Sequence, residues 1–575
     1  LVRGSGLSLR CYYRGPAQSN EELVDRLLHI PYQSGMIAVD TETISIKDIT
    51  CIGIGLQIAP DESLYVEVWP DPSDLLLLVT SLIADPSIIK IYFNANFDFR
   101  VLEFLHDTDS TPLPDYTNIA DPSLMAQIQG QSDHSLDDLS FSLLSYSNEL
   151  SIAGLLEEAR IECGRKSVSM LDVPFEQVAT KCLNDVWATW HLWENLQHTW
   201  PNTQNKECYD IDIALIPVLK SMEQKGLLLD KEVVESEYVR LRNEVMGYAD
   251  VCTDMGFNPS HPQQVGYILA SRGNILPFTK SRKQLRTDED VLSELDDPIA
   301  KLVLEYRSAN KLLTTYIEPW REQDRAYTHF RIDLSTGRLA SFNRNLQNIP
   351  PAVRRVFSPD SSNFNWMDYS QIELRILGHV SHDTTMQDAF KLGISIHELT
   401  MKELWPNAKR YGSNGEDSQE YLNSKTFSFA KVYGASDYQL HRKTGVPLDR
   451  IPGLRSAWGI LYPQAQSWVD NQYNWPYDYV ESDFGRRMAL PTNIHNMKPH
   501  VFTAHRGKCA INYPIQGTAA DIVKRAMLKV KDYDLRLQVH DELVFDGEVE
   551  LDESLARIHP EIHTPFNTYV ESKWK

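Results

Sequence analysis

The stretch LRLQVHDELVFDGEV, residues 535–549, decides how the C-terminal part of this chain folds. Apolar and polar residues alternate over 535–540, which predicts a strand with one buried face. A second apolar run, at 543–545, follows at once, so the two runs predict a tight hairpin. Its two-residue tip is then Asp541-Glu542, where turn geometry favours Asn-Gly or Asp-Gly instead. Two adjacent carboxylates on a rigid tip therefore indicate that the tip faces positive charge.

The bulk composition indicates a multidomain globular protein. With 575 residues, the chain is too long for one hydrophobic core and is expected to divide into two to four domains. Its 42% hydrophobic and 23% charged residues are typical of globular proteins. The longest apolar run, at 75–83, is too short to cross a bilayer, and no leader sequence opens the chain. Seven scattered cysteines without a C-x-x-C pair favour a reducing, cytoplasmic location. The short apolar run predicts that the protein has no membrane partner.

The net charge of −23 argues at first against a nucleic-acid partner, because phosphate binding needs Lys and Arg. Net charge does not describe local distribution, however, and basic residues are dense between 280 and 355. They are Arg282, Lys283, Arg286, Lys301, Arg307, Lys311, Arg321, Arg325, Arg331, Arg338, Arg344 and Arg354. The charge pattern alone supports a basic channel and a solvated helical surface equally.

The order of predicted elements suggests where the chain divides. The first ~200 residues alternate short strands and helices, as an α/β domain does. The predicted strands are 36–39, 52–58, 64–68 and 88–93. A polar stretch at 201–207 is a plausible boundary. Residues 209–325 are predicted to be mostly helical, with breaks at Gly226, at 257–262 and around Gly273, and the rest mixes strands and helices.

A second acidic position follows the predicted strand 364–367. Asp368 ends that strand, directly before a helix whose apolar residues recur at helical spacing. Strand ends hold functional groups rigidly, so Asp368 is a candidate to meet the acids of the hairpin. Ser370 and Glu373 form an S-x-x-E capping box, so one interpretation of Glu373 is that it caps the following helix.

The segment KTFSFAKVYGAS, 425–436, places Lys425, Phe429 and Tyr433 on one face of a helix. A cation, an aromatic plane and a phenol in a row suit a triphosphate, a base and a sugar. The alternative is that these aromatic residues belong to the hydrophobic core.

The motifs DYSQIELR, K-x3-F-x3-YG and QVHDE occur in this order. Together they closely resemble the three polymerase motifs of the family A DNA polymerases, and the connecting blocks TGRLASFNRNLQNIP, FGRR and NYPIQGTAADIVK resemble the family too. The resemblance implies an α/β, multidomain α+β fold, in which an RNase-H-like 3′–5′ exonuclease domain precedes a right-hand polymerase. The implied domains are the exonuclease at 1–200 and the polymerase at 201–575, with thumb about 209–330, palm about 331–385 and 510–575, and fingers about 386–509.

The resemblance also implies site residues. Asp368 and Asp541 would hold two Mg²⁺ ions, for which Mn²⁺ is a substitute, with Glu542 beside them and Tyr369 as a further ligand. Lys425 and His397 would contact the triphosphate, Phe429 the base, and Glu373 with Tyr433 the sugar, where they exclude ribonucleotides; Gln371 joins this nucleotide-binding set. The implied contacts to primer–template DNA are Arg338, Asn345, Gln347, Asn348, Asn512, Gln516 and His540.

One residue departs from the family pattern. The family usually carries Arg four residues before the motif lysine, and here that position is Tyr421. A phenol does not replace a guanidinium fork. Either another cation compensates, such as Lys431 or Lys508, or nucleotide affinity is reduced.

The N-terminal acids Asp40, Glu42, Asp98 and Asp185 resemble those of the DEDD proofreading exonucleases, which would hold two further Mg²⁺ ions. Asp121 is interpreted as structural. Tyr is usual four residues before the last Asp, but here the residue is Lys181, which is not an equivalent partner for a water molecule. The four acids still predict an active exonuclease, with altered pH dependence.

The resemblance therefore predicts a monomeric DNA polymerase that proofreads, binds primer–template DNA and deoxynucleoside triphosphates, lacks a 5′-nuclease, and is of a viral, phage-like type. Two alternatives stay open. The chain could be a dedicated 3′–5′ exonuclease whose C-terminal part grips DNA, or a DNA-binding scaffold without catalysis.

Overall fold

The computed structural model describes residues 11–17, 19–30, 35–45, 47–69, 74–132, 135–148, 150–279, 281–412, 415–492 and 498–574. None of the helices in these ranges combines the length and the apolar character that crossing a bilayer requires.

The N-terminal part is built on a six-stranded mixed sheet. Its strands are β1 (Cys11–Arg14), β2 (Met36–Thr43), β3 (Cys51–Ala59), β4 (Glu62–Glu67), β5 (Ile89–Tyr92) and β6 (Ile119–Ala120). The order across the sheet is β1-β4-β3-β2-β5-β6, and only the β2–β5 and β5–β6 pairs are parallel. The four strands predicted from the sequence in this part are confirmed.

Helices cover both faces of this sheet. They are α1 (Asn20–His29), α2 (Leu76–Ala84), α3 (Ala95–Asp109), α4 (Pro122–Ile128), α5 (Leu136–Leu144), α6 (Ile152–Cys163) and α7 (Phe175–Leu196). One hydrophobic core lies between the sheet and α1 to α3, and α7 packs on the other face. Burial on both faces explains why β3 is apolar almost throughout.

A mostly helical segment follows, as the sequence predicted. It contains α8 (Thr203–Lys225), α9 (Lys231–Asp254), α10 (Pro262–Ser271), α11 (Glu289–Leu292), α12 (Pro298–Lys311) and α13 (Glu318–Trp320), with a π-helical turn at Leu312–Ile317. Two short strands, β7 (Leu227–Leu229) and β8 (Arg325–Ala326), were not predicted. The polar stretch at 201–207 is the connection between α7 and the first turn of α8, and α8 packs against both the N-terminal part and the C-terminal part.

The C-terminal part mixes strands and helices. Its strands are β9 (His329–Arg331), β10 (Ala340–Phe342), β11 (Phe357–Ser358), β12 (Phe364–Tyr369), β13 (Tyr479–Glu481), β14 (Arg487–Ala489), β15 (Leu535–Val539), β16 (Glu542–Asp546) and β17 (Phe566–Glu571). Its helices are α14 (Pro351–Arg354), α15 (Ile372–Val380), α16 (Thr384–Lys391), α17 (Ile396–Leu404), α18 (Gln419–Val432), α19 (Asp437–Thr444), α20 (Ile451–Leu461), α21 (Pro463–Tyr473) and α22 (Pro499–Lys529).

An antiparallel sheet, in the order β15-β16-β12-β17, forms the centre of this part. Strand β12 lies between β16 and β17, so the strand that ends near Asp368 is paired with the hairpin strand. Helix α22 is continuous for 31 residues and crosses position 510, so the implied boundary between fingers and palm lies inside one helix.

The hairpin tip differs from the prediction by one residue. Val539 pairs with Glu542, so the two turn residues are His540 and Asp541, and Glu542 is the first residue of β16. His540 has a φ of +57°, in the left-handed region that such a tight turn requires of at least one residue. The predicted tip Asp541-Glu542 is therefore wrong.

The prediction of one buried face for this strand is also wrong, because all five residues of β15 are buried. Arg536 is accommodated by carboxylates on the second face, at 2.7 Å from Asp534 and 2.6 Å from Asp360. Gln538 accepts a hydrogen bond from the amide of Gln347 at 2.8 Å. The polar residues of β15 are buried together with their hydrogen-bonding and charged partners. An alternating sequence pattern looks the same whether its polar residues are exposed or buried with partners.

Candidate active sites

Two carboxylates meet at the junction of β12 and β16. Asp368 pairs with Glu542 across these strands, and the Tyr369 N–H donates to the Asp541 carbonyl at 3.2 Å. Asp368 and Asp541 both line one cavity of about 830 Å³. The spatial convergence that the motif order required is therefore present.

Burial and mutual repulsion change the acidity of these two groups. Burial, and then the charge of Glu542, raise the pKa of Asp368 to about 6. Burial, and then the charge of Asp368, raise the pKa of Asp541 to about 7. Closely spaced carboxylates with few internal hydrogen-bond donors are the donor set that a hard divalent cation such as Mg²⁺ prefers, so these residues fit such an ion.

Two other residues implied at this site have partners of their own. Glu542 lies beside the cavity, and its carboxylate accepts a hydrogen bond from the Tyr569 hydroxyl at 3.3 Å. The Tyr369 side chain is buried, and its hydroxyl donates to the Leu555 carbonyl at 2.9 Å. A supporting role for Glu542 and a backbone role for Tyr369 are consistent with these contacts.

Glu373 does not cap its helix. The N-cap of α15 is Gln371, in a left-handed conformation, and no side chain caps the helix, so the capping-box interpretation is wrong. The Glu373 carboxylate instead accepts from the Tyr433 hydroxyl at 2.7 Å and forms an ion pair with Arg338. The Gln371 Oε1 atom is buried without a hydrogen-bond partner at the edge of the same cavity.

The structure shows whether the aromatic residues on and after α18 belong to the hydrophobic core or face the cavity. Phe427 is fully buried in the core, whereas Lys425, Phe429 and Tyr433 line the 830 Å³ cavity on another face. The Tyr433 N–H continues the helical pattern by donating to the Phe429 carbonyl at 2.8 Å. Phe429 and Tyr433 therefore face the cavity and do not belong to the hydrophobic core.

His397 enters the cavity from α17. It is buried, its ring lies 5.5 Å from that of Phe429, and its Nδ1 atom has no hydrogen-bond partner. Burial, and then the charge of Lys425, lower the pKa of His397 to about 4. The imidazole is therefore neutral at pH 7.

Of the two lysines suggested to compensate for Tyr421, only Lys508 can be examined in the described residues, and it does not line the cavity. The Lys508 stem packs on Gly434, and the side chain of Lys431 lies outside the described residues. Arg410, from the loop after α17, lines the cavity instead. No motif or periodicity marks Arg410, because it approaches the site from a different element.

The implied DNA contacts occupy varied positions. Arg338 and His540 line the cavity. Asn345 and Asn348 are exposed to solvent. Asn512 and Gln516 are half-buried on α22. Gln347 is buried, and its amide binds the Ser341 N–H and the Gln538 side chain, so contact with DNA would require these hydrogen bonds to open.

Five of the twelve basic residues named between 280 and 355 pair with a carboxylate in the structure. They are Arg286, Arg321, Arg325, Arg331 and Arg338. These ion pairs offset part of the positive charge of that stretch.

A second acid cluster lies at the C-terminal end of β2. Asp40, Glu42 and Asp98 line a separate cavity of about 590 Å³, together with Lys181 from α7. The Lys181 Nζ atom donates to Glu42 Oε1 at 2.8 Å and to Asp185 Oδ2 at 2.6 Å. The lysine that replaces the usual tyrosine therefore bridges two of the four acids.

The remaining acids of this cluster have their own environments. Asp98 accepts from the backbone and the hydroxyl of Thr41, and burial raises its pKa to about 7. Cys182 Sγ lies 3.3 Å from Asp40 Oδ2, and burial raises the pKa of Asp40. The oxygen donors fit a divalent ion, and the Lys181 ammonium already offsets part of their charge.

Asp121 has the structural role predicted for it. Its carboxylate caps α4 by accepting from the Ser123 and Leu124 N–H groups, and it accepts from Asn94 and Ala95 as well. These hydrogen bonds satisfy a carboxylate that is otherwise buried.

The fold and its two acid-lined cavities define a class of protein: two-part proteins with one carboxylate cluster on a mixed sheet and a second at the junction of β12 and β16. Within that class the comparison with known families is specific. Residues 230–568 match the family described as DNA polymerase family A, and residues 17–200 match the family described as 3′–5′ exonuclease. The chain belongs to DNA polymerase family A.

Individual proteins support the same assignment. The chain is similar to DNA polymerase I of Pseudomonas aeruginosa, at 29% identity over 91% of this chain and 61% of that protein. It is also similar to DNA polymerase I of Chloroflexus aurantiacus, at 30% identity over 93% of this chain and 59% of that protein. The chain thus spans about 60% of the length of these curated relatives.

A solved structure shares the fold. It is described as the POL domain of Pol1 from M. smegmatis in complex with DNA primer-template and dNTP. The TM-score is 0.72 at 22% sequence identity, and the match covers 97% of this chain and 99% of that one.

Proposed function

We propose that this protein is a template-directed DNA polymerase that extends a primer 3′-hydroxyl and proofreads with a 3′–5′ exonuclease. The observation that carries the proposal is the single cavity that contains Asp368 and Asp541 together with Lys425, His397 and Phe429. Acids that hold metal ions, and cations and aromatic residues that bind a nucleotide, are the groups that nucleotidyl transfer needs in one place.

The residues of the polymerase cavity divide the work. Asp368 and Asp541 would hold divalent ions, Mg²⁺ or Mn²⁺, which lower the pKa of the attacking hydroxyl and stabilise the departing pyrophosphate. Lys425 neutralises triphosphate charge, and neutral His397 offers a hydrogen bond to a phosphate oxygen. Phe429 gives the base a flat apolar surface, which suits all four bases because each has a π face.

Glu373, Tyr433 and Arg338 form one hydrogen-bonded group at the cavity wall. A carboxylate held by two partners is fixed in place, so it can exclude the 2′-hydroxyl of a ribose. We propose that this group selects deoxyribose.

The second cavity serves the exonuclease. Asp40, Glu42, Asp98 and Asp185 would hold divalent ions that activate water against the terminal phosphodiester. Lys181 holds Glu42 and Asp185 in position and neutralises charge there. The implied domain order, an exonuclease to about residue 200 and a thumb, palm and fingers after it, belongs to this proposal.

The proposed substrates are primer–template DNA and deoxynucleoside triphosphates, which the structurally similar M. smegmatis protein holds. The cysteines agree with a reducing compartment inside the cell, because none of the seven, all of them in the described residues, is in a disulfide.

Primer extension tests the proposal and its two alternatives together. With Mg²⁺ and the four deoxynucleotides, a polymerase lengthens a labelled primer, a dedicated exonuclease only shortens it, and a scaffold leaves it unchanged. Asp368→Asn or Asp541→Asn should reduce extension by about a thousandfold or more, because a metal-bound oxyanion is stabilised by several kcal/mol. Asp388→Asn, in an exposed acid of α16, is the matched control.

A further inference from the structure

Tyr421 lies between two cations in the polymerase cavity. The Arg410 guanidinium carbon is 4.9 Å from the centre of its ring, and the Lys425 Nζ atom is 4.7 Å from it. Tyr421 is buried, and it lies on the same α18 face as Lys425. An aromatic face attracts cations, so a buried tyrosine here holds both charges beside it.

Arg410 has hydrogen-bonding capacity to spare. Its Nε atom is buried without a hydrogen-bond partner, although the residue lines the cavity. The nearest carboxylate oxygens are those of Asp417 at 3.6 Å and Glu398 at 4.0 Å, both longer than a hydrogen bond. The Arg410 side chain is 37% exposed, but its Nε–H group is buried, and a buried donor without a partner is costly unless a ligand completes it.

Two other cations at the cavity, Lys524 and Arg338, are already bound to carboxylates within hydrogen-bonding distance. Lys524 is buried and bonded to Asp212 at 2.8 Å. Arg338 is paired with Glu373. Among the described residues of the cavity wall, Arg410 and Lys425 are the cations that share one side, and both face Asp417.

We propose that Arg410 is the second triphosphate-binding cation of this polymerase, and that Tyr421 is the platform that positions it. This inference rests on the proposed polymerase function and adds a triphosphate-binding residue to it. Two residues form this subsite: a guanidinium from the loop after α17 and an aromatic face on α18. The guanidinium fork matches phosphate oxygens, and the aromatic face fixes its plane.

The test compares Arg410→Gln with Lys409→Gln. Lys409 is the exposed neighbour on the same loop, so its variant removes the same charge without touching the cavity. Arg410→Gln should raise the KM for deoxynucleotides about tenfold or more, because a charge-assisted hydrogen bond to phosphate is lost, while kcat changes less. Lys409→Gln should leave KM within about twofold.

A binding measurement separates this role from catalysis. With a primer that ends in a dideoxynucleotide, the Kd of the next correct deoxynucleotide should rise in Arg410→Gln by the same factor as KM. Arg410→Lys keeps a point charge but not the guanidinium fork, so its Kd should lie between those of the parent protein and Arg410→Gln.

The position of Tyr421 supplies the rescue. Tyr421→Arg in the Arg410→Gln protein should restore KM, since it returns a guanidinium to the helix face, whereas Tyr421→Leu alone should weaken nucleotide binding as Arg410→Gln does. Unchanged KM and Kd in a folded Arg410→Gln protein, as judged by its melting temperature, would overturn the inference. If the parent protein itself does not extend a primer, it is the proposed function that fails.

Discussion

His397 shows how burial controls a single titratable side chain. Its pKa is lowered to about 4 in the folded protein, against an ordinary value near 6.5. Because the unfolded chain binds the proton first, stability is fully present above about pH 6.5 and is lost as the pH falls through the range from about 6.5 to 4.

His397→Gln should remove this pH dependence. The parent protein is expected to lose on the order of 3 kcal/mol of unfolding free energy between pH 7 and pH 4 through this residue, while the variant does not. Urea denaturation at several pH values measures the difference, with the exposed residue His500 changed to Gln as control. Equal pH slopes in parent and variant would contradict the assignment.

Glu373 is the residue at which sugar selection is tested. Glu373→Ala opens the space beside Tyr433 and should raise the ratio of ribonucleotide to deoxynucleotide incorporation by about tenfold or more, as expected when a buried carboxylate no longer excludes a hydroxyl. Single-nucleotide incorporation with both triphosphates gives the ratio. An unchanged ratio would leave Glu373 with only its structural partners.

Lys181 is the residue at which the proposed exonuclease site is tested. Lys181→Tyr removes the ammonium that pairs with Glu42 and Asp185. Because these acids are then free to bind metal ions, we expect the Mg²⁺ concentration that gives half-maximal exonuclease activity to fall. The same change leaves buried acids unpaired, so the melting temperature should fall in EDTA and recover when Mg²⁺ is added.

Lys166→Tyr, at an exposed position, is the control for this experiment. A melting temperature that is insensitive to Mg²⁺ in Lys181→Tyr, or a higher Mg²⁺ requirement, would show that Lys181 has another role.

At the scale of elements, the turn of the β15–β16 hairpin fixes the position of a candidate metal ligand. Its turn depends on the positive φ of His540, and this turn orients Asp541 toward the cavity. A β-branched residue is strained in that conformation, so His540→Val should cost about 1–2 kcal/mol, and His540→Gly should cost less. Chemical denaturation measures both. Equal losses in the two variants would mean that side-chain contacts, not backbone strain, dominate at this turn.

At the scale of the whole molecule, a buried ion cluster joins three distant parts of the chain. Arg486 binds Asp212 of α8 and Asp521 of α22 at 2.7–2.9 Å, and Lys524 binds Asp212 as well. All four side chains are buried. The cluster therefore ties the helix that contacts the exonuclease part to the long helix of the polymerase part.

Arg486→Met should destabilise the protein by about 3–5 kcal/mol, because it leaves buried Asp521 without a cationic partner and Asp212 with Lys524 alone. Its neighbour Arg487 pairs with Glu481 at the surface, so Arg487→Met should cost less than about 1 kcal/mol. Urea denaturation of the two variants compares a buried and an exposed ion pair in one motif. Similar losses would show that the cluster does not hold the two parts together.

The amino-acid sequence alone was enough to predict the family, the N-terminal strands and the candidate site residues that the structure brings into the two cavities. Asp368 lies at a strand end and Asp541 in a hairpin turn because local alternation and turn chemistry are short-range effects that a sequence displays directly. The same patterns misplaced the hairpin tip by one residue, because the register depends on pairing with β12, which lies far away in the sequence.

Only the tertiary structure decided the partners of these residues. Glu373 binds Tyr433 and Arg338 rather than its own helix end, Lys181 bridges two acids, and Arg410 reaches the cavity from a loop that no motif marks. The physical reason is that charge pairing and burial depend on distance in space. Residues far apart in the chain become neighbours only when the sheet and its helices have packed together.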